Sequence, residues 1–134
     1  MSIAYRETKE FTPTQLQDLF LSVGWDSGNH PERLQAAMRN SDRVESAWDG
    51  QTLVGLMTGI SDGVMTAYFH YLLVRPEYQG NGIGKELMRR MLEYYSECMT
   101  KVLIAYNYQL GFYDRCGFSP GRECTPMYAT TLNL

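Results

Sequence analysis

The segment Gln79-Gly80-Asn81-Gly82-Ile83-Gly84-Lys85 constrains this chain more than any other stretch. It joins an apolar run ending at Val74 to a helical repeat of Ile83, Leu87, Met88, Met91, Leu92 and Tyr95. A strand that enters a helix through such a loop turns several unbonded backbone N–H groups toward one point. The helix dipole adds about half a positive charge there. A phosphate or diphosphate is the natural occupant. The glycines permit close approach and take up positive φ cheaply. Counting excludes two phosphate loops. A dinucleotide fingerprint spaces its glycines G-x-G-x-x-G. From Gly80 and Gly82 the third position is Lys85, and from Gly82 and Gly84 it is Leu87. A triphosphate loop needs G-x-x-x-x-G-K-[ST]. Here Gln79 stands at its first glycine and Glu86 at its magnesium-binding hydroxyl, so neither NAD nor a nucleoside triphosphate is expected.

The chain around the loop alternates strands and helices through short turns. Residues 3–8 suit a strand. Thr12-Pro13-Thr14-Gln15 is a capping box with proline at the first helical position, and the helix carries Leu16, Leu19, Phe20 and Val23 on one face before Gly24 ends it. His30-Pro31-Glu32 opens a second helix bearing Leu34, Ala37 and Met38. Residues 44–48 and 53–60 flank Asp49-Gly50, a hairpin signal. A third strand spans 64–74 and stops at Pro76. After the loop helix, which is expected to reach Cys98, the apolar run 102–106 reads as a buried strand parallel to the one before the loop. Residues 110–115 suit a short helix ended by Gly117, and the alternation over 127–132 predicts a final strand.

The 134 residues suit one domain. Apolar residues make up 44% and charged residues 20%, which excludes whole-chain disorder. The net charge of −3 speaks against a nucleic-acid binder, so an anionic ligand must be held by local geometry. No apolar run approaches the roughly 18–20 residues of a membrane span. The first ten residues lack the apolar region of a signal peptide. The unpaired spacing of Cys98, Cys116 and Cys124 predicts free thiols in a reducing cytoplasm rather than disulfides or a zinc site.

The stretch Leu73-Val74-Arg75-Pro76-Glu77-Tyr78-Gln79-Gly80-Asn81-Gly82-Ile83-Gly84 resembles the acetyl-CoA diphosphate loop of the GNAT superfamily of N-acetyltransferases. A second block, Ala105-Tyr106-Asn107 followed by Gly111-Phe112-Tyr113-Asp114-Arg115-Cys116-Gly117-Phe118, resembles that family's later signature. The resemblance implies an α/β fold with a mixed, mostly antiparallel sheet of six to seven strands and about four helices. It implies one N-acetyltransferase domain over residues 1–134. Two parallel strands would diverge to admit pantetheine. A bulge at Leu72, Leu73 and Val74 would pair with it, and the N–H near Leu72 or Leu73 would meet the oxyanion. Gln79, Gly80, Asn81, Gly82, Ile83, Gly84 and Lys85 would hold the diphosphate and Asn107 the pantetheine arm. An alternative role for Asn107 is to cap the helix of Leu110.

By the same resemblance Tyr113 is the general acid toward the departing sulfur. A phenol with a pKa of about 10 is protonated at neutral pH and fit to donate. An alkylammonium of pKa about 10.4 must lose a proton before it attacks. Tyr68, His70 and Leu72 share one strand face by period two. His70 is the candidate base because imidazole titrates near 6.5. Tyr68 is a candidate to order water or the amine, and Glu77 reads as a solvated turn residue. Trp25 and Asp26, with the loop 121–126, fall where the family builds its acceptor pocket. The expectation is acetyl transfer from acetyl-CoA to a primary amine of a small molecule, without a metal. The alternatives are a protein or peptide amine, or a non-catalytic acyl-CoA sensor. Exposed sheet edges permit a homodimer.

Overall fold

The computed structural model describes residues 2–134. Five strands form one sheet in the order β1-β2-β3-β4-β5: β1 is Ile3–Glu7, β2 Arg43–Asp49, β3 Thr52–Ser61, β4 Thr66–Val74 and β5 Thr100–Leu103. The first three pairings are antiparallel and β4–β5 is parallel. The four helices are α1 Pro13–Ser22, α2 Pro31–Asn40, α3 Ile83–Tyr94 and α4 Leu110–Arg115.

The mixed, mostly antiparallel sheet and the four helices agree with expectation, but the strand count does not. The sheet has five strands among the described residues, not six to seven. Residues 127–132 join no ladder and form no strand, with Met127 90% exposed. Alternation reports one wet and one dry face, and it cannot supply a partner edge. The run 102–106 is also not a buried strand. β5 stops at Leu103 on the sheet edge, and Val102, Ile104 and Tyr106 are exposed. An apolar run says that something apolar is nearby, not that both faces are covered. The loop helix ends at Tyr94 rather than Cys98.

Local chemistry accounts for the elements that match. The Thr12 hydroxyl accepts from the Gln15 N–H at 3.1 Å, and the Gln15 side chain accepts from the Thr12 N–H at 2.9 Å. Gly50 turns the β2–β3 hairpin at φ +60. The sheet separates two cores. Leu16, Leu19 and Phe20 of α1 and Leu34 and Met38 of α2 cover Val44, Leu56 and Leu73 on one face. Ile83, Leu87, Met88 and Met91 of α3 cover Ala47, Met57 and Phe69 on the other. Each such leucine-sized side chain contributes about 1.5–3 kcal/mol on burial. A cavity lined by Ser22, Val23 and Trp25 as well as by Gly82 and Ile83 runs from the end of α1 to the N-terminus of α3.

Candidate active site

β4 and β5 pair only over Thr66–Phe69 and Thr100–Leu103. Beyond that point they part, and a cavity of about 770 Å³ opens between them. Its lining runs from the glycine loop along β4 to α4. Of the residues singled out from sequence, Gln79, Gly80, Gly82, Ile83, Gly84, Lys85, His70, Leu72, Leu73, Val74 and Tyr113 line it. Asn81, Asn107 and Tyr68 do not. Asn81 folds back, its side-chain amide donating to the Tyr78 carbonyl at 3.0 Å. Asn107 lies in a 3-10 turn and caps neither that turn nor α4.

The bulge expected over residues 72–74 lies earlier. Met57 pairs with Leu72 and Gly59 with Phe69, so His70 and Tyr71 together oppose Thr58. The cause is the Thr58 hydroxyl, which accepts from the Tyr71 N–H at 3.1 Å in place of a ladder bond. The bulge lets consecutive residues serve different cavities. His70 lines the slot, while Tyr71 packs edge-on against Phe20 at 5.0 Å on the α1 side. Past the bulge, the Arg75 N–H donates to the Val54 carbonyl at 2.8 Å. By antiparallel alternation the main chain of Leu73 faces β3, whereas that of Leu72 and Val74 faces the slot. The Val74 carbonyl accepts from the Gln79 side-chain amide at 2.9 Å, and of the two slot-facing N–H groups, those of Leu72 and Val74, the Leu72 N–H is the nearer to His70 in the chain.

The loop itself forms a cradle. Gly80 and Gly82 have φ of +83 and +80, and a Cβ on either would stand in open space facing no atom within 4 Å. No side chain caps α3, so the first N–H groups of that helix lack a protein partner. Glu86, in the first turn, is turned aside. It accepts from Arg89 and Arg90 at 2.9 and 2.7 Å, and the Arg89 hydrogen bond foremost holds its pKa down to about 2. A diphosphate fits this arrangement of free donors and an averted carboxylate.

Tyr113 is half-buried, edge-on to Phe112 at 5.1 Å and to Phe118 at 6.3 Å. Burial first, then the neighbouring Cys116 and Tyr108, pushes its pKa up to about 12. The His70 ring is partly exposed but crowded by Tyr71 at 4.1 Å and Tyr68 at 5.3 Å. Partial desolvation lowers its pKa from 6.5. Its Nδ1 lies 3.0 Å from the Tyr68 hydroxyl. Burial foremost raises the Tyr68 pKa. Asp26 is already engaged: its carboxylate accepts from the Asn133 N–H and the Asn29 amide, each at 3.0 Å, and the Asn133 bond foremost lowers its pKa.

Tyr78, Tyr106, Tyr108 and Phe112 also line the slot; the first, second and fourth lie in the two resemblance blocks without a role of their own, and Tyr108 lies outside both. Tyr106 and Tyr108 stack at 5.5 Å at its mouth, and Tyr108 is 80% exposed. Two aromatics flanking Asn107, at the end of an apolar run, were the available signal. Among the described residues no group of three or more His, Cys, Asp or Glu side chains could hold a metal, and no helix is long and apolar enough to cross a membrane.

Residues 7–118 match the family model described as the acetyltransferase (GNAT) family. The ycf52-like N-acetyltransferase of Prochlorococcus marinus is 28% identical over 137 residues, covering 96% of this chain and 76% of its own. The L-amino acid N-acyltransferase MnaT of Escherichia coli is 28% identical over 100 residues, 58% of each chain. Among solved structures, a GNAT family acetyltransferase of Streptococcus pneumoniae superposes with a TM-score of 0.83 at 28% identity, over 97% of this chain and 98% of that one.

Proposed function

The chain belongs to the GNAT acetyltransferase family and is an acyltransferase, and from that premise we propose that it moves an acetyl group from acetyl-CoA to the primary amine of a small molecule, with both substrates bound together. Residues 1–134 act as one N-acetyltransferase domain in the cytoplasm, in keeping with three free cysteines. The observation that carries this reading is the slot, which leads from an uncapped, glycine-lined helix N-terminus to Tyr113 and His70.

Acetyl-CoA supplies an acyl group activated as a thioester. The N–H groups of the Gly80–Lys85 loop bind the diphosphate, and the main chain of Leu72 and Val74 aligns the pantetheine arm; Asn107, between Tyr106 and Tyr108 but itself outside the lining, is given no contact. The Leu72 N–H donates to the acyl oxygen as negative charge develops on it. His70 accepts the amine proton. When its Nδ1 carries a proton and donates to the Tyr68 oxygen, Nε2 presents a free lone pair. Tyr113 donates to the sulfur as the C–S bond breaks. The burial that raises the phenol also disfavours a bare thiolate beside it, so the donor remains matched to its task. A small acceptor is favoured by a second, neighbouring cleft of about 540 Å³, within the range of small-molecule sites. The name of the Escherichia coli relative, an L-amino acid N-acyltransferase, points the same way.

Acetyl-CoA at about 100 times its Kd is expected to raise the melting temperature by roughly 5–15 °C. NAD and ATP at the same concentration are expected to leave it in place. Equal shifts with all three ligands would refute the loop assignment.

The pH profile tests His70. Burial disfavours its imidazolium, so the basic form persists to lower pH than in a free histidine. The acidic limb of kcat/KM is expected to have its midpoint below pH 6.5 and to disappear in His70→Gln. The same sign makes the folded protein bind fewer protons than the unfolded chain, so this residue's contribution to stability declines as pH falls below 6.5. A limb that stays put in the variant removes His70 as the base.

A further inference from the structure

The second cleft has a chemistry of its own. It lies on the α1–α2 side of the sheet, and the segment 129–132 forms one wall. The hydrogen bond from the Asn133 N–H to Asp26 ties that segment across the turn between α1 and α2. Tyr71 lines this cleft and packs against His70 at 4.1 Å and Trp25 at 6.2 Å, both of which line the slot, so the two cavities are neighbours across the Tyr71 ring. An amine that reaches His70 from this side leaves the rest of its molecule in the cleft.

The polar groups of that cleft are Arg33, His30, Ser27, Tyr71, Thr130 and Thr131. There is no carboxylate among the residues that line it. Arg33 has no ion-pair partner among the described residues, in contrast to Arg39, Arg43, Arg89 and Arg90. Asp26, outside the lining, keeps its negative charge while accepting from Asn133 and Asn29, and that charge acts on His30 and leaves Arg33 without an ion-pair partner. A wall of one guanidinium, one imidazole and four hydroxyls repels a second ammonium and accepts an anion.

Resting on the transferase reading above, we infer that the acceptor is an amine carrying an anionic group, and that Arg33, assisted by His30, selects it. The shared chemistry is a carboxylate or a phosphate monoester on a primary amine. Polyamines and other polycationic amines are poor acceptors. Arg33 is a specificity-determining residue; it touches the far end of the acceptor and not the reacting atoms.

Matched pairs test this by release of free CoA: L-leucine against L-leucinamide for a carboxylate, and O-phosphoethanolamine against ethanolamine for a phosphate, with spermidine as the cationic control. In at least one pair, kcat/KM for the anionic member is expected to exceed that of its neutral partner about 10- to 100-fold, the span of a charge-assisted hydrogen bond. The pair that shows the ratio identifies the anion. In Arg33→Gln the ratio is expected to fall below about 3-fold, mainly through KM for the anionic member, and Arg33→Lys should restore part of it. Arg33 is exposed on α2, so an unchanged melting temperature checks that the variants fold. No preference in the native enzyme, better use of spermidine, or a ratio that survives Arg33→Gln overturns the proposal. If no amine releases CoA, the transferase reading fails by itself. The anion site is then read by calorimetric titration of O-phosphoethanolamine and L-leucine into CoA-saturated protein. Binding weakened by Arg33→Gln supports the site, and absent or unaltered binding overturns it.

Discussion

Tyr113→Phe is expected to lower turnover about 10- to 1000-fold while changing CoA affinity by less than about 3-fold. The substitution isolates one atom. The ring of Tyr113 sits edge-on between Phe112 and Phe118, and a phenylalanine keeps those contacts. What is lost is the donor that faces the slot. With its pKa pushed up to about 12, the phenol stays protonated throughout the working range of the enzyme. Wild-type activity should therefore show no falling limb from this group up to about pH 10. The effect should appear in kcat, because the donor acts as charge develops on sulfur and contributes little to ground-state binding. Stopped-assay kinetics with CoA titrations on both proteins check this. Turnover that is unchanged in Tyr113→Phe removes the residue from the chemistry.

That the glycine loop and Tyr113 line one slot was legible in sequence, because residue types at fixed spacing mark both. Glycines let a ligand approach backbone N–H groups closely, and Gly80 and Gly82 do adopt positive φ. Hairpin and helix starts were equally legible, since Gly50 and Thr12 act through local chemistry. What was not legible depends on contacts distant in sequence. The bulge sits at His70 and Tyr71 because Thr58, on another strand, accepts the Tyr71 N–H. That single hydrogen bond decides that Leu72 and not Leu73 presents its N–H to the slot. The end of the chain likewise has a remote partner, the Asp26 carboxylate, which accepts from the Asn133 N–H just after residues 127–132. The aromatic mouth formed by Tyr106 and Tyr108 escaped notice because β5 ends three residues before Tyr106, a boundary that an apolar run does not mark.

Filling the cradle should have an effect as large as removing the acid, but on binding. In Gly82→Val, CoA affinity is expected to fall at least about 50-fold, and the melting shift caused by acetyl-CoA should vanish. Two causes add. Gly82 is at φ +80, where a side chain costs about 1–2 kcal/mol. The branched side chain also projects into the open space where the diphosphate would approach the N–H groups of α3. The two causes separate with a control. Gly63 in the β3–β4 turn has φ +81 and open space around it, yet lies outside the slot. Gly63→Ala should lose comparable stability while CoA binding and turnover stay at native levels. Isothermal titration with CoA and melting of both variants give the comparison. If Gly82→Val binds CoA as the native protein does, the diphosphate does not lie on this loop, and the slot must be read from its other end. If instead both variants lose CoA in proportion to stability, the loss reports folding and not the cradle.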